Sequence, residues 1–370
     1  MLNSADIARL NEISRQLEAL YKPLPIDEYN SPVNRTEERD TLFKHVAAGN
    51  VYHPQFSYRS LPCDLVLPLL TFLRQLQPER DAWEFLLYQD VKQTLDSLQA
   101  VSTHDAAAIT ATSIAADGLP TRALIDQAYV ELAQPIPIRE DETVSAEAAA
   151  DALRTGLEHV GLTSWRVIID PVMSVNMSVR TIEQQVKIRQ DSQYSLHSIR
   201  RLLVHEIGTH VFRYANAEKQ PLFLLRLGLT GYMMTEEGMA TYHEAHYGLR
   251  DMHTARRYAL RVIAAQMSLT HSYFDVFSHI AQYTTQIDAF DIVTRSKRGF
   301  SNTADYGAHV KDKVYLEGFY AVNDHLKAVP SDYTLLMSGK VSLKMLPLLH
   351  ELRNANLLLE PQYLPAQLMA

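Results

Sequence analysis

The chain has 370 residues, is 46% hydrophobic and 21% charged, and carries a formal net charge of −8. That is ordinary globular composition with ample material for a core, and without a basic stripe it excludes nucleic acid as the main partner. One cysteine, Cys63, excludes an intramolecular disulfide framework and a cysteine-based zinc ribbon.

From the start of the chain, Ile7, Leu10, Ile13, Leu17 and Leu20 recur every three to four positions, which predicts a helix ended by Pro23 and Pro25. The opening Met1-Leu2-Asn3-Ser4-Ala5-Asp6 lacks the pattern of a secretory signal. Residues 26 to 60 read as loop-rich, and two helices are expected over about 63 to 77 and 79 to 102. Lone Cys63 is expected to be a small buried structural residue. The leucine-rich run from Leu61 to Leu76 is interrupted by polar residues, so it predicts a buried helix. No run reaches the ~20 apolar residues of a bilayer span. The expectations are therefore no membrane partner and a cytoplasmic location.

Ser113 to Pro120 reads as a polar joint, followed by a helix to about Leu132. The proline-containing, mixed-charge stretch from Ala133 to Glu142 is the best candidate boundary. It would separate an N-terminal helical subdomain, 1–142, from a catalytic region, 143–370; one compact domain is the alternative. An alanine-rich helix is expected over 145 to 160. Strands follow at Trp165 to Asp170, Val175 to Val179 and Gln185 to Arg189, the latter two alternating at period two. They predict a small antiparallel sheet ahead of a helical segment near 205. Residues 255 to 293 read as helical and the C-terminal third as short helices. The expected class is α+β, mostly helical.

The segment His205-Glu206-Ile207-Gly208-Thr209-His210 places two histidines and a glutamate inside an apolar helical run. A hydrolytic zinc site needs three protein ligands and an open position. Two histidines supply two ligands, and a glutamate beside the first can take a proton from the attacking water. Two core histidines on one helix is the plain alternative. The usual spacing is H-E-x-x-H, whereas this chain has H-E-x-x-x-H. Five α-helical steps would leave the imidazoles about 140° apart. A π-type bulge or local unwinding at Ile207 to Thr209, eased by Gly208, would restore a common face. Downstream, Thr235-Glu236-Glu237-Gly238-Met239-Ala240 places acids in a second helical pattern. Acids at a helix start could simply answer the helix dipole. Yet Glu237-Gly238-Met239-Ala240 resembles the third-ligand segment of gluzincin metallopeptidases, and Gly238 would let this helix lean on the metal helix. Asn216 stands where a metzincin's third histidine would be. His243 and His246 are expected to be structural or at the surface.

HEIGTH at 205–210, Arg213, Asn216 and EEGMA at 236–240 resemble the QEGLA-motif metallopeptidases, the family that includes the vertebrate microtubule-associated tyrosine carboxypeptidase. Blocks at Pro54–Tyr58, Arg257–Arg261, Lys297–Phe300 and Val310–Gly318 resemble family blocks as well, so the likeness covers nearly the whole chain. The resemblance implies one zinc ion held by His205, His210 and Glu237, with Glu206 as catalytic base. It implies a carboxypeptidase acting on peptide or protein C-termini, with terminal tyrosine or another aromatic residue favoured. Thr235 and Glu236 before the ligand, and Met239 for leucine, depart from the family pattern. The long polar N-terminal extension of the vertebrate enzyme has no counterpart here, so tubulin is not expected as partner and a bacterial-type member is.

A carboxypeptidase must hold a free carboxylate, which arginine does best. Arg213, Arg298 and Lys311 are the candidates, with Tyr315 as a donor to the developing oxyanion. Arg298 ranks first, because Lys297-Arg298-Gly299 falls in a break between helices. The strand over Val186 to Arg189 could pair with an extended peptide at its edge. The alternatives are a gluzincin endopeptidase or aminopeptidase with the same metal site, and a non-catalytic regulatory relative.

Overall fold

The computed structural model describes residues 2–24, 26–136, 143–171 and 176–369. It is mostly helical, with five short strands among the described residues. Two compact units divide the chain, each drawn from separate segments. The first comprises residues 1–15, 136–252 and 317–370; the second comprises 16–135 and 253–316. The chain therefore crosses between units several times. Residues 137–142 of the proposed boundary stretch lie outside the described residues.

In the first unit the strands are β1 (Val144–Ser145), β2 (Arg166–Asp170), β3 (Met177–Arg180), β4 (Gln185–Arg189) and β5 (Gln193–Tyr194). Val175, expected to open a strand, lies outside the described residues. Strands β3 and β4 pair antiparallel, but β2 and β4 pair parallel. The three-stranded sheet is therefore mixed, in the order β2-β4-β3, and only the separate β1–β5 pair is wholly antiparallel. The alternation in β4 is met by complete burial of Val186 and Ile188. Because β4 is central, both its edges carry ladder bonds. That corrects the expectation of an edge for substrate pairing at Val186 to Arg189, since a paired strand has no free backbone groups to offer.

In the second unit helices cover Arg35–Ala47, Cys63–Leu73, Ala82–Thr103, Ala106–Asp117 and Arg122–Ala133, and then Tyr273–Ile280 and Gln286–Ser296. Two of these depart from the sequence reading. Arg35–Ala47 has a charged face and buries only Leu42, so it lacks the apolar stripe that marks a helix. Ala106–Asp117 absorbs the supposed joint at Ser113, and its cap is Asp105, which accepts from the Ala108 amide. The Cys63–Leu73 helix buries Leu69 and Phe72 but leaves Leu67 61% exposed, so it is not the buried helix expected. Cys63 is itself exposed, a correction to its reading as a core residue. No described helix is long and apolar enough to cross a membrane.

Candidate metal centre

The helix carrying the HEIGTH segment begins as α-helix over Leu196–Leu202, continues as π-helix over Leu203–Val211 and returns to α-helix over Phe212–Lys219. The expected distortion is present, but it spans nine residues rather than the three around Gly208. In i→i+5 geometry residue 210 returns above residue 205. The two imidazole centres lie 5.1 Å apart. Thr209 Oγ1 reinforces the wider turn by donating to Val204 O, five residues back, at 3.1 Å. Gly208 serves this segment through space rather than through unusual backbone angles. A Cβ there would meet Pro365 Cβ at 3.2 Å and Leu368 at 3.5 Å.

The second helix, Tyr232–His246, carries its acids one turn inside its start. Seven residues are nearly two turns, so Glu237 and Glu244 share one face and Glu236 and His243 another. Gly238 permits a close approach, but toward the helix Val314–Ala328 rather than the metal helix. A Cβ at Gly238 would lie 2.4 Å from Gly318 O.

His205, His210 and Glu237 converge as a buried triad. Glu237 Oε2 lies 3.7 Å from His205 Nε2 and 3.9 Å from His210 Nε2, too far for hydrogen bonds. It is buried without a hydrogen-bond partner. The other ring nitrogens are engaged. His205 Nδ1 donates to Glu244 Oε1 at 2.7 Å, and His210 Nδ1 donates to Glu236 Oε1 at 2.7 Å. Each of these carboxylates meets an arginine: Arg201 Nη1 donates to Glu244 Oε1 at 2.7 Å, and Arg213 Nη1 pairs with Glu236 Oε2. Two parallel Arg–Glu–His series therefore aim two Nε2 atoms at one carboxylate. Glu206, beside His205, is buried. No side chain is hydrogen-bonded to its carboxylate among the described residues.

Electrostatics follow from this arrangement. Burial pushes the His205 pKa down, but the nearby Glu237 and Glu244 carboxylates outweigh it and raise the value to about 10. His210 is raised in the same contest, by Glu236 and then Glu237. Burial pushes Glu236 up, yet Arg213 and His210 bring it down to about 2. Glu237 and Glu244 are also lowered against burial, Glu237 by the histidines and Glu244 by Arg201 first. Arg201 and Arg213 answer Glu244 and Glu236, whereas the cationic groups that face Glu237 among the described residues are the two histidines. Two imidazoles with one carboxylate form a donor set that suits zinc.

His243, next to this shell, is buried, and its Nδ1 meets Thr209 Oγ1 at 2.7 Å while Nε2 meets Tyr333 OH at 3.1 Å. Burial and neighbouring cations bring its pKa down to about 3, so it is neutral. It supports the π-helix from the side, while His246 is exposed.

Of the substrate candidates, Arg213 has no exposed surface. Besides Glu236 it donates from Nε to Leu336 O at 3.0 Å and from Nη2 to Val341 O at 2.6 Å, so it ties the shell to the C-terminal segment. Arg298, Lys311 and Tyr315 belong to the second unit, whereas the triad, Glu206 and Arg213 belong to the first. Arg298 Nη2 donates to Asp312 Oδ1 at 3.1 Å, Lys311 is partly buried, and the Tyr315 ring stacks on Tyr258 at 4.7 Å. Sequence reading missed Glu244 and Arg201 as partners of the imidazoles, whereas His243 is structural, one of the two roles expected of it. The seven-residue spacing from Glu237 to Glu244 and from Glu236 to His243 was the available signal.

A family model described as microtubule-associated tyrosine carboxypeptidase matches residues 43–370. The chain belongs to that family. Among curated relatives of this family, microtubule-associated tyrosine carboxypeptidase 1 of Homo sapiens is 33% identical over 177 residues, which cover 46% of this chain and 36% of that protein. The Rattus norvegicus protein of the same name is 32% identical over 177 residues, with the same coverage of both chains. The chain thus spans about a third of the length of the curated relatives it matches.

Proposed function

We propose that this chain is a zinc-dependent carboxypeptidase that hydrolyses the C-terminal peptide bond of peptides or proteins. The observation that carries the reading is the buried, unpartnered Glu237 Oε2 facing the Nε2 atoms of His205 and His210. Those three side chains would hold the ion. When bound, zinc supplies a Lewis acid that polarises the scissile carbonyl and lowers the pKa of water.

The remaining work falls to the chain's own groups. Glu206 is the base: its carboxylate takes the proton of the attacking water and returns it to the leaving amine. Glu244 and Glu236 fix both imidazoles in the Nδ1–H tautomer, which leaves Nε2 as the ligand atom. Arg201 and Arg213 keep those two carboxylates ionised, so Arg213 acts on the metal shell rather than on substrate. The tyrosine carboxypeptidase names of the relatives support exopeptidase action at a C-terminal tyrosine, and terminal aromatic preference is part of the proposal. Association with microtubules belongs to those relatives and is not carried over.

The test is metal content together with cleavage of matched peptides. Purified chain should carry about one zinc by mass spectrometry, as a three-ligand site with one open position requires. It should release the last residue of a peptide with a free C-terminus and leave the C-terminally amidated twin intact. Equal cleavage of both would replace the carboxypeptidase reading with an endopeptidase or aminopeptidase, and absence of bound metal would remove the zinc reading.

A further inference from the structure

In the second unit, one carboxylate is shared by two guanidinium groups, with a third close enough to feel its charge. Asp312 is buried, and both its oxygens are occupied. Arg295 takes Oδ2 through Nε and Oδ1 through Nη2 at 2.9 Å, and Arg298 adds a bond to Oδ1 at 3.1 Å. The third, Arg261, lies near enough for Asp312 and Arg295 to act on its charge, the first attracting and the second repelling. Yet no carboxylate, carbonyl or hydroxyl accepts from Arg261 among the described residues, and its Nε is buried. The Arg298 Nε is likewise buried without an acceptor.

Leaving buried donors unpaired is costly, and a second and third cation beside them adds repulsion. Packing alone does not call for a guanidinium here, since an uncharged side chain of similar length would fill the volume without that cost. Two rings shape what can approach. The Arg261 Cζ sits 4.9 Å from the Tyr315 ring centre and 5.4 Å from that of Tyr258, and these rings stack on each other at 4.7 Å. Aromatic contact of this kind fixes the plane of a guanidinium while leaving its edge for a planar acceptor.

We propose that Arg261 binds a carboxylate of a peptide ligand, and that Tyr258 and Tyr315 hold the Arg261 fork in position. The carboxylate enters as the acceptor that the Arg261 guanidinium lacks. Both Arg–carboxylate pairing and the need for a free anion follow from the unit itself, so the inference stands apart from the zinc reading and goes beyond it.

The test titrates the full chain, with arginine side chains isotopically labelled, and follows the Arg261 Nε–H signal by NMR. The probes are N-acetyl-triglycine, its C-terminal amide, N-acetyl-glutamate amide and inorganic phosphate. The signal is assigned by its loss in Arg261→Lys, and every titration is repeated after chelator treatment. A free C-terminal carboxylate as ligand predicts a saturable shift with N-acetyl-triglycine; an acidic side chain as ligand predicts the same with N-acetyl-glutamate amide. Either result, unchanged by chelator and absent with triglycine amide, supports the proposal. Affinity, read for the variants by isothermal titration calorimetry because they lack the Arg261 signal, should fall by about tenfold or more in Arg261→Gln and by less in Arg261→Lys, which keeps charge but loses the fork. Thermal melts establish that both variants fold. A signal that no carboxylate moves, or that phosphate alone moves, overturns the proposal. Loss of the shift on chelation alone would also overturn it, because the ligand would then belong to the metal centre.

Discussion

Glu244 stands one helix away from His205 and accepts the 2.7 Å hydrogen bond that fixes which nitrogen of that imidazole faces Glu237. Removing its charge while keeping its shape is therefore informative. Glu244→Gln should weaken zinc binding by roughly 10- to 100-fold, measured by competition with a chromophoric chelator. Unchanged affinity would show that the carboxylate does not tune the ligand.

Glu206 and Glu237 should separate cleanly. Glu206→Gln keeps the metal and loses hydrolysis, because an amide cannot accept the proton of water. Glu237→Ala loses the metal. The checks are zinc content and peptide turnover on the same preparations; near wild-type turnover in Glu206→Gln would take the base role from that residue.

Glu236 has a different signature from its neighbour. Glu236→Ala keeps the three ligands but strands Arg213, which has no exposed surface and would remain charged in the interior. A loss of about 3–5 kcal/mol is expected from breaking a buried pair on one side. Urea unfolding of the metal-free variants measures it, and Glu236→Gln should recover part of the loss. A Glu236→Ala variant as stable as wild type would mean that the pair does not hold the shell.

Gly238→Ala tests the contact between helices. The new Cβ would lie 2.4 Å from the carbonyl oxygen of Gly318, where only backbone movement can relieve the clash. Overpacking of this kind should cost about 3 kcal/mol. The helix that moves also bears Glu237, so zinc affinity should fall with stability. Thermal melts with and without added zinc read both effects.

Asp312 gives a pH dependence with a definite sign. Burial alone would raise its pKa, but Arg295, then Arg298 and Arg261, hold it well below the usual carboxylate range. The unfolded chain takes up this proton near ~3.9, before the folded chain does. Stability from this group is thus fully present above that value and is lost as pH falls through the folded pKa. Asp312→Asn should lower stability at neutral pH and flatten the fall between about pH 5 and 2. Parallel urea titrations of both proteins would show whether the curves converge in acid; curves that stay parallel would remove Asp312 from the acid response.

The sequence alone picked out the candidate ligands and required that their helix be distorted. His205 and His210 are five residues apart, and an α-helix cannot put them on one face, so the spacing by itself demanded a wider turn. Strand β4 was legible in full, because Val186 and Ile188 alternate with polar neighbours. Helix Arg35–Ala47 was not, because its charged face carries no stripe of apolar residues. Spacing could not show that β4 is central, since parallel pairing with β2 depends on where the chain returns. Nor could it show that Arg213 faces Glu236 rather than solvent. An arginine reads the same in sequence whether its partner is substrate, solvent or a buried acid. That choice was made by the C-terminal segment, whose carbonyls at Leu336 and Val341 take the remaining hydrogen bonds and draw the guanidinium inside. Close approach of Gly238 to Gly318 is of the same kind: the residue type permits it, and only packing between segments some eighty residues apart decides which backbone comes near.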